Sequence, residues 1–171
     1  GHGPTTFAAY QRALSTESSI VMQLDSDGQF DAAELPMLCS AIATGSEVVV
    51  GIRSNRVDPW FRKFLTYLLR NFLRARYVGR FPDPNSPIRA YSASALALML
   101  GDLPTEPLIP NIYLSILAVR QKLEVVYVHV SHRERRGGQS TGTMWQSANQ
   151  WKKISRLLKF CRKSFRQLLS F

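Results

Sequence analysis

Asp25 and Asp27, in the run LDSDGQ, put two carboxylates two positions apart where an apolar stretch gives way to turn formers, with Gln29 two positions further on. Carboxylate and amide oxygens at that spacing form a hard donor set suited to Mg²⁺ or Mn²⁺, with positions left over for water or a diphosphate. An acidic strand end without a metal is the other reading of the same tripeptide. Arg53, which closes the run VVVGIR, and the cluster RERRGGQS supply the opposite charge. Guanidinium groups match phosphate oxygens two at a time, and glycines let backbone N–H groups approach the same anion. Taken singly, Arg133, Arg135 and Arg136 read equally well as solvated loop charges. Acid for a metal beside arginines for phosphate is equipment for handling a nucleotide diphosphate.

These groups need elements to position them. PTTFAAYQRAL (from Pro4 to Leu14) reads as a helix, and SSIVMQLD (Ser18 to Asp25) as a buried strand. A second helix is expected from Asp31 to Ala43, with Asp31 and Glu34 as a capping box and Gly45 as its stop. EVVVGIR is a further strand. A long helix from Pro59 to Tyr77 carries Trp60, Phe61, Phe64, Leu65, Leu68, Leu69 and Phe72 on one side, a stripe expected mainly to pack into the core, with an interfacial role secondary. Its other side is basic: Arg62, Lys63, Arg70, Arg74, Arg76 and Arg80 fall between Asp58 and Asp83 with no acid among them. PDPNSPIRAYS (Pro82 to Ser92) has too many turn formers for helix and reads as a shaped loop. Helices at Ser92 to Leu100 and Pro110 to Gln121, a strand EVVYVHV (Glu124 to Val130), a basic loop from Ser131 to Thr141 and an amphipathic helix from about Thr143 onward complete the order. Alternating helices and strands give an α/β fold with a mostly parallel sheet covered by helices, its ligands at the carboxyl ends of the strands.

Composition bounds the rest. The chain has 171 residues, enough for one ordinary domain, and 45% of them are hydrophobic, enough for a folded core. No apolar stretch approaches the roughly 18 residues of a spanning helix, and the N-terminus does not read as a signal peptide. Cys39 and Cys161 lie far apart and outside any Cys/His cluster, so they support neither a disulfide framework nor a zinc site. The net charge of +10 is unevenly spread: from Arg133 onward there are ten basic residues against one acidic, whereas the preceding residues nearly balance. An anionic partner follows, and charge alone does not choose among nucleic acid, acidic protein and phospholipid. The stretch from Trp145 through Trp151, Ile154, Leu157, Leu158, Cys161, Phe165 and Leu168 keeps helical spacing among seven basic residues. It reads either as a surface helix held by an anionic leaflet or as a helix packed on the sheet with a basic outer face. No nucleic-acid reading motif accompanies the charge, so nucleic acid is not expected.

In this order the motifs resemble the family-2 glycosyltransferases of GT-A fold, in particular the polyprenyl-phosphate branch that includes dolichyl-phosphate mannosyl- and glucosyltransferases. DSDGQFDAAELP is similar to the family's DADGQ…PE element, VVVGIR to its strand ending in G-x-R, DPNSPIRAYS to its DxxSGFRxYS loop with Pro87 where glycine is usual, and RRGGQS to its R-x-x-G-x-S element, with Thr141 where a Lys is often found. The opening GHGPTTFAAYQRAL looks like the family's glycine-led helix before the metal strand. The resemblance covers the chain to about Thr141. It implies an inverting transfer of a sugar from a nucleotide-diphosphate sugar to a polyprenyl phosphate, by a single displacement on the cytoplasmic face of a membrane. It also implies a partial GT-A domain over residues 1–142, beginning after the family's first strand, helix and strand, and a basic amphipathic helix over 143–171 as a peripheral membrane attachment. By residue it implies Asp25, Asp27 and Gln29 for Mg²⁺ or Mn²⁺, with Asp27 as the catalytic aspartate, and Asp25, Arg135 and Ser140 for the donor diphosphate. Arg53, Arg62 and Thr66 would bind the acceptor phosphate, and Asp83 would be the base if one is used. The reading from a different class is a non-catalytic membrane-surface or anion-binding module on a degenerate GT-A fold.

Overall fold

A computed structural model of the chain describes residues 2–54, 60–104, 106–133 and 150–171, with side chains at all of these except 2, 60–62 and 150–154. Two compact units divide it, Gly1–Glu134 and Arg135–Phe171.

The first unit runs α1 (His2–Leu14), β1 (Ile20–Gln23), a 3-10 turn (Ala32–Glu34), α2 (Leu35–Ala43), β2 (Val48–Ser54), α3 (Trp60–Arg76), β3 (Arg89–Ser92), α4 (Ala93–Gly101), α5 (Pro110–Arg120) and β4 (Val125–Ser131). The four strands form one sheet in the order β1-β3-β2-β4. The α/β expectation holds, but the sheet is mixed rather than mostly parallel. Only β2 and β4 pair parallel; β3 lies antiparallel to both β1 and β2. The reason is β3 itself: the last four residues of the stretch read as loop, Arg89 to Ser92, insert between β1 and β2. A polar, four-residue strand behind a proline-rich turn carries too little alternation to announce itself.

The sheet has a core on each face. Leu38 and Ile42 of α2 pack on Val49, Ile88, Ala90 and Val130. Tyr91, the neighbour of Ala90 and so on the opposite face, meets Tyr10 of α1 edge-on at 5.7 Å between ring centroids. Leu96 and Met99 of α4 and Tyr113, Leu114 and Ile116 of α5 are fully buried.

Local chemistry explains the element ends. Asp31 caps the 3-10 turn by accepting the Ala33 N–H, but Glu34 does not complete the expected capping box. Its carboxylate reaches β4 instead and accepts the Ser131 N–H at 2.9 and 3.1 Å. Gly45 (φ 115°) ends α2 and Lys122 (φ 55°) ends α5, both in the left-handed region. Gly51 is required by proximity: a Cβ there would lie 2.5 Å from Ile88 Cγ2 and 3.0 Å from Val130 Cγ2.

In α3 the structure corrects the core expectation. Of the expected stripe, Phe64, Leu65 and Leu68 are exposed, by 53% and 47% for Phe64 and Leu68, while Leu69 and Phe72 are half-buried and the side chains of Trp60 and Phe61 lie outside the described residues; Tyr67 is also 60% exposed, and Leu73 is buried. The second unit contains α6 (Gln150–Leu169), whose Leu158, Phe165 and Leu169 are exposed alongside Lys159, Arg162, Lys163 and Arg166. Residues 143–149 of the expected terminal helix lie outside the described residues. Among the described residues no helix is long and apolar enough to cross a membrane.

Candidate active site

The sheet topology explains why distant motifs meet. β1, β2 and β4 run one way and β3 runs against them. The carboxyl ends of three strands and the amino end of the fourth therefore share one rim. Asp25 and Asp27 follow β1, Arg53 is the penultimate residue of β2, Ser131 to Arg133 follow from β4, and the Asp83 loop leads into β3.

At the β1 end, Asp27 Oδ1 accepts the Gln29 N–H at 3.2 Å across a turn in which Gly28 takes φ 73°. The turn is clipped to the strand end beside it. Arg133 N–H donates to Gln29 O at 2.9 Å, Gln29 Nε2 donates to Arg133 O at 3.3 Å, Arg133 Nη2 reaches Asp31 Oδ2 at 2.6 Å, and Phe30 stands edge-on to His132. Below the turn, the Tyr10 hydroxyl donates to Gln23 Oε1 and lies 3.4 Å from the Tyr91 hydroxyl. Burial pushes the Tyr10 pKa well above the usual phenol range, helped by Tyr91 and, less, by the charge of Asp25. Tyr10 is thus a permanent donor at neutral pH.

At the β2 end, Arg53 Nε donates to Asp83 Oδ2 at 2.7 Å and Nη2 to Asp83 Oδ1 at 2.9 Å. Asp83 is 3% exposed. Its loop is held from below by Arg89, the first residue of β3, which is fully buried. Arg89 Nε donates to Ser86 O at 2.8 Å, and Nη2 donates to Pro84 O at 2.7 Å and Ser115 Oγ at 3.0 Å. Asn111 Nδ2 adds a bond to Ser86 O at 3.2 Å, and Ser115 Oγ donates to Pro84 O at 3.1 Å. Main-chain carbonyls and the Ser115 hydroxyl satisfy Nε and Nη2 of this buried guanidinium, while its Nη1 has no hydrogen-bond partner among the described residues.

Known proteins show the same sequence pattern and the same architecture. The chain is 31% identical over 124 residues to the undecaprenyl-phosphate 4-deoxy-4-formamido-L-arabinose transferase of Edwardsiella ictaluri, covering 72% of this chain and 37% of that protein. With the protein of the same name from Pectobacterium carotovorum it shares 29% over 140 residues, 82% of this chain and 40% of that one. Glucosyl-3-phosphoglycerate synthase of Mycobacterium tuberculosis, crystallised with Mn²⁺ and UDP-glucose, superposes with a TM-score of 0.62 at 21% identity over 96% of this chain and 53% of that one. Its complex with Mg²⁺ and UDP gives a TM-score of 0.61 over the same shares, at 21% identity. No family model matches. The chain has the GT-A fold, and its sequence is similar to those of undecaprenyl-phosphate sugar transferases. It spans about two fifths of the length of the curated relatives it matches.

The β1 end of the rim carries oxygen donors of the kind a hard divalent cation takes. Asp25 and Asp27 are half-buried at the rim, and Gln29 commits its amide nitrogen to Arg133, which leaves Oε1 as an oxygen donor. Among the described residues no three His, Cys, Asp or Glu side chains form a metal cluster. Two carboxylates and an amide oxygen suit Mg²⁺ or Mn²⁺ whose other positions go to water and phosphate oxygens.

The remaining expected residues are placed unevenly. Thr66 is half-buried on α3, Arg62 is described by its backbone alone, and Arg135 and Ser140 lie outside the described residues. Sequence reasoning missed Arg89, Asp31 and Glu34 as site builders. The RAYS of the loop motif contained Arg89, but nothing local distinguishes a buried arginine from an exposed one. Asp31 and Glu34 were visible only as caps, because their partners, Arg133 just after β4 and Ser131 at its end, are 102 and 97 positions away.

Proposed function

We propose that the chain is part of an inverting glycosyltransferase that moves a sugar from a nucleotide-diphosphate sugar to a polyprenyl phosphate on the cytoplasmic face of a membrane. The observation that supports this most is the convergence of the carboxylate turn, Arg53, the Asp83 loop and the entry to the basic segment on one sheet rim, in a chain similar to undecaprenyl-phosphate sugar transferases.

In this reading Asp25, Asp27 and Gln29 hold Mg²⁺ or Mn²⁺, which when bound neutralises charge on the departing nucleotide diphosphate. The Arg133–Gln29 and Arg133–Asp31 bonds tether that turn to the end of β4 and bias its geometry. Arg135 and Ser140 take the donor diphosphate, and Arg53, Arg62 and Thr66 the acceptor phosphate. That acceptor is already an oxyanion near neutral pH, so displacement at the sugar carbon needs no strong base. The exposed apolar residues of α3 and α6, each interleaved with basic side chains, lie against the anionic membrane surface. Division into a transferase domain over 1–142 and a surface helix over 143–171 belongs to the same proposal.

Calorimetric titration with UDP and GDP, with and without Mn²⁺, tests the donor site. Metal-dependent binding that Asp27→Ala abolishes is the expected result. Binding that ignores both metal and Asp27 rejects it. The exposed Phe64, Tyr67 and Leu68 on a basic helix also suit a non-catalytic module bound to anionic surfaces. In that case the folded chain binds anionic vesicles and no nucleotide.

A further inference from the structure

The guanidinium of Arg53 has two edges that can each grip an anion. Asp83 takes the edge formed by Nε and Nη2, with both carboxylate oxygens engaged at 2.7 and 2.9 Å. The opposite edge, formed by Nη1 and the second hydrogen of Nη2, has no hydrogen bond among the described residues, and the Arg53 side chain keeps 13% of its surface open at the rim. A planar fork with one edge fixed and the other unfilled has the geometry for a second bidentate contact.

Everything behind Asp83 is braced. Ser86 N–H donates to Asp83 O at 3.1 Å, while Arg89, Asn111 and Ser115 hold the carbonyls of Pro84 and Ser86. Gly51, with no side chain to intervene, brings β2 against Ile88, and Gly51 N–H donates to Ile88 O at 3.0 Å. Helix α5, the buried Arg89, the loop, Asp83 and Arg53 therefore form one chain of contacts that ends at the open edge. A buried carboxylate with both oxygens on a guanidinium is poorly presented to take a proton from a substrate.

We propose that Asp83 is a positioning residue rather than the catalytic base: it pins one edge of Arg53 so that the other edge is preset as a fork for a phosphate monoester. The inference rests on the reading of the rim as a phosphate-handling site and assigns its acceptor side. The shared chemistry is a phosphate monoester dianion, from free phosphate or from a lipid headgroup.

Side-chain NMR of the ¹⁵N-arginine-labelled 171-residue chain, titrated with inorganic phosphate and separately with dodecyl phosphate, tests it. The Arg53 signals are assigned by their loss in Arg53→Lys. In the unmutated chain the Arg53 Nε–H should stay in place on either addition while its Nη signals move; an Nε–H that moves as far as the Nη signals means that the pair opens, and overturns the proposal. Asp83→Asn should weaken dodecyl phosphate binding at least tenfold, and Asp83→Glu should restore it to within about threefold. Undiminished binding in folded Asp83→Asn overturns the positioning role. Tighter binding of dodecyl phosphate than of phosphate identifies the lipid as the source, and equal binding identifies the free anion; both support the fork. UDP with Mn²⁺ is titrated in parallel. Its failure with the phosphate result intact rejects the transferase reading alone, whereas intact UDP binding with no response at Arg53 rejects the fork alone.

Discussion

Arg53 and Asp83 meet at 2.7 Å with side chains 13% and 4% exposed, whereas Arg133 and Asp31 meet at 2.6 Å with side chains 56% and 34% exposed. Distance does not separate the two pairs; water does. The first is backed by the Asp83 loop and by the Arg89 network beneath it, so Asp83 has almost no access to water if Arg53 is lost, and Arg53 has only its open edge. The second sits in solvent, which screens it whether or not the partner is present. The same acid–base chemistry thus serves as architecture at the β2 end of the rim and as a light tether at the β1 end.

Removing one partner is the severest test of that contrast. Asp83→Ala leaves a guanidinium without its carboxylate and should cost about 3–5 kcal/mol in urea unfolding. A loss below about 1 kcal/mol would mean that water reaches Arg53 freely and that the two ends of the rim do not differ.

The buried region should also be the one that feels alkali. Tyr113, on the α5 helix that braces the Asp83 loop, is fully buried, and burial, with a smaller effect from Tyr77, pushes its pKa up to about 12. The unfolded chain releases that proton near pH 10. The stabilisation is therefore complete below pH 10 and is lost as pH rises through about 12, by roughly 2–3 kcal/mol. Urea midpoints measured from pH 9 upward should fall more gently in Tyr113→Phe, and parallel curves for the two proteins would contradict this.

Gly51→Ala forces a methyl group to within 2.5 Å of Ile88 Cγ2 and 3.2 Å of Ile88 O, and should destabilise by about 1–3 kcal/mol. Gly101→Ala, where a Cβ meets nothing within 4 Å, is the matched control and should show no such loss. Equal effects would remove close approach as the reason for the glycine in VVVGIR.

The smallest effect belongs to the exposed tether. Asp31→Asn keeps an oxygen to cap the Ala33 N–H but discharges the pair with Arg133, and should cost at most about 1 kcal/mol. The difference from the parent chain should shrink further in high salt. A larger, salt-independent cost would place Asp31 with Asp83.

The contrast also explains what the sequence could and could not disclose. The elements α1, α2, β1, β2, α4, α5 and β4 were readable because each carries its own period or its own breaker, such as Gly45 or the Ser92 that accepts the Ala95 N–H at 3.2 Å. The Asp25–Asp27 turn and Arg53 were readable because both follow apolar runs. Strand β3 was not, because its identity depends on partners 40 and 70 positions earlier rather than on its own four residues. Glu34 was misread for a related reason: capping-box spacing is necessary for that motif, but a nearby strand end with an unmet N–H competes for the same carboxylate. The exposed stripe of α3 shows the converse limit, since helical periodicity reports an apolar face without saying what covers it.

The two left-handed helix ends carry a practical consequence. After α2, Gly45 N–H returns to Ile42 O at 3.0 Å and Ser46 N–H to Ala41 O at 3.1 Å; after α5, Lys122 N–H returns to Val119 O at 3.2 Å and Leu123 N–H to Ala118 O at 2.9 Å. The same two-bond closure appears twice, once with glycine and once with a lysine that carries a Cβ into a region where it is strained. Both closures lead into the amino ends of strands, at the edge of the sheet away from Asp25, Arg53 and Asp83. Lys122→Gly is thus a means of making the scaffold more robust while leaving the reactive rim as it is, which would let damaging substitutions at that rim be studied in a chain that still folds.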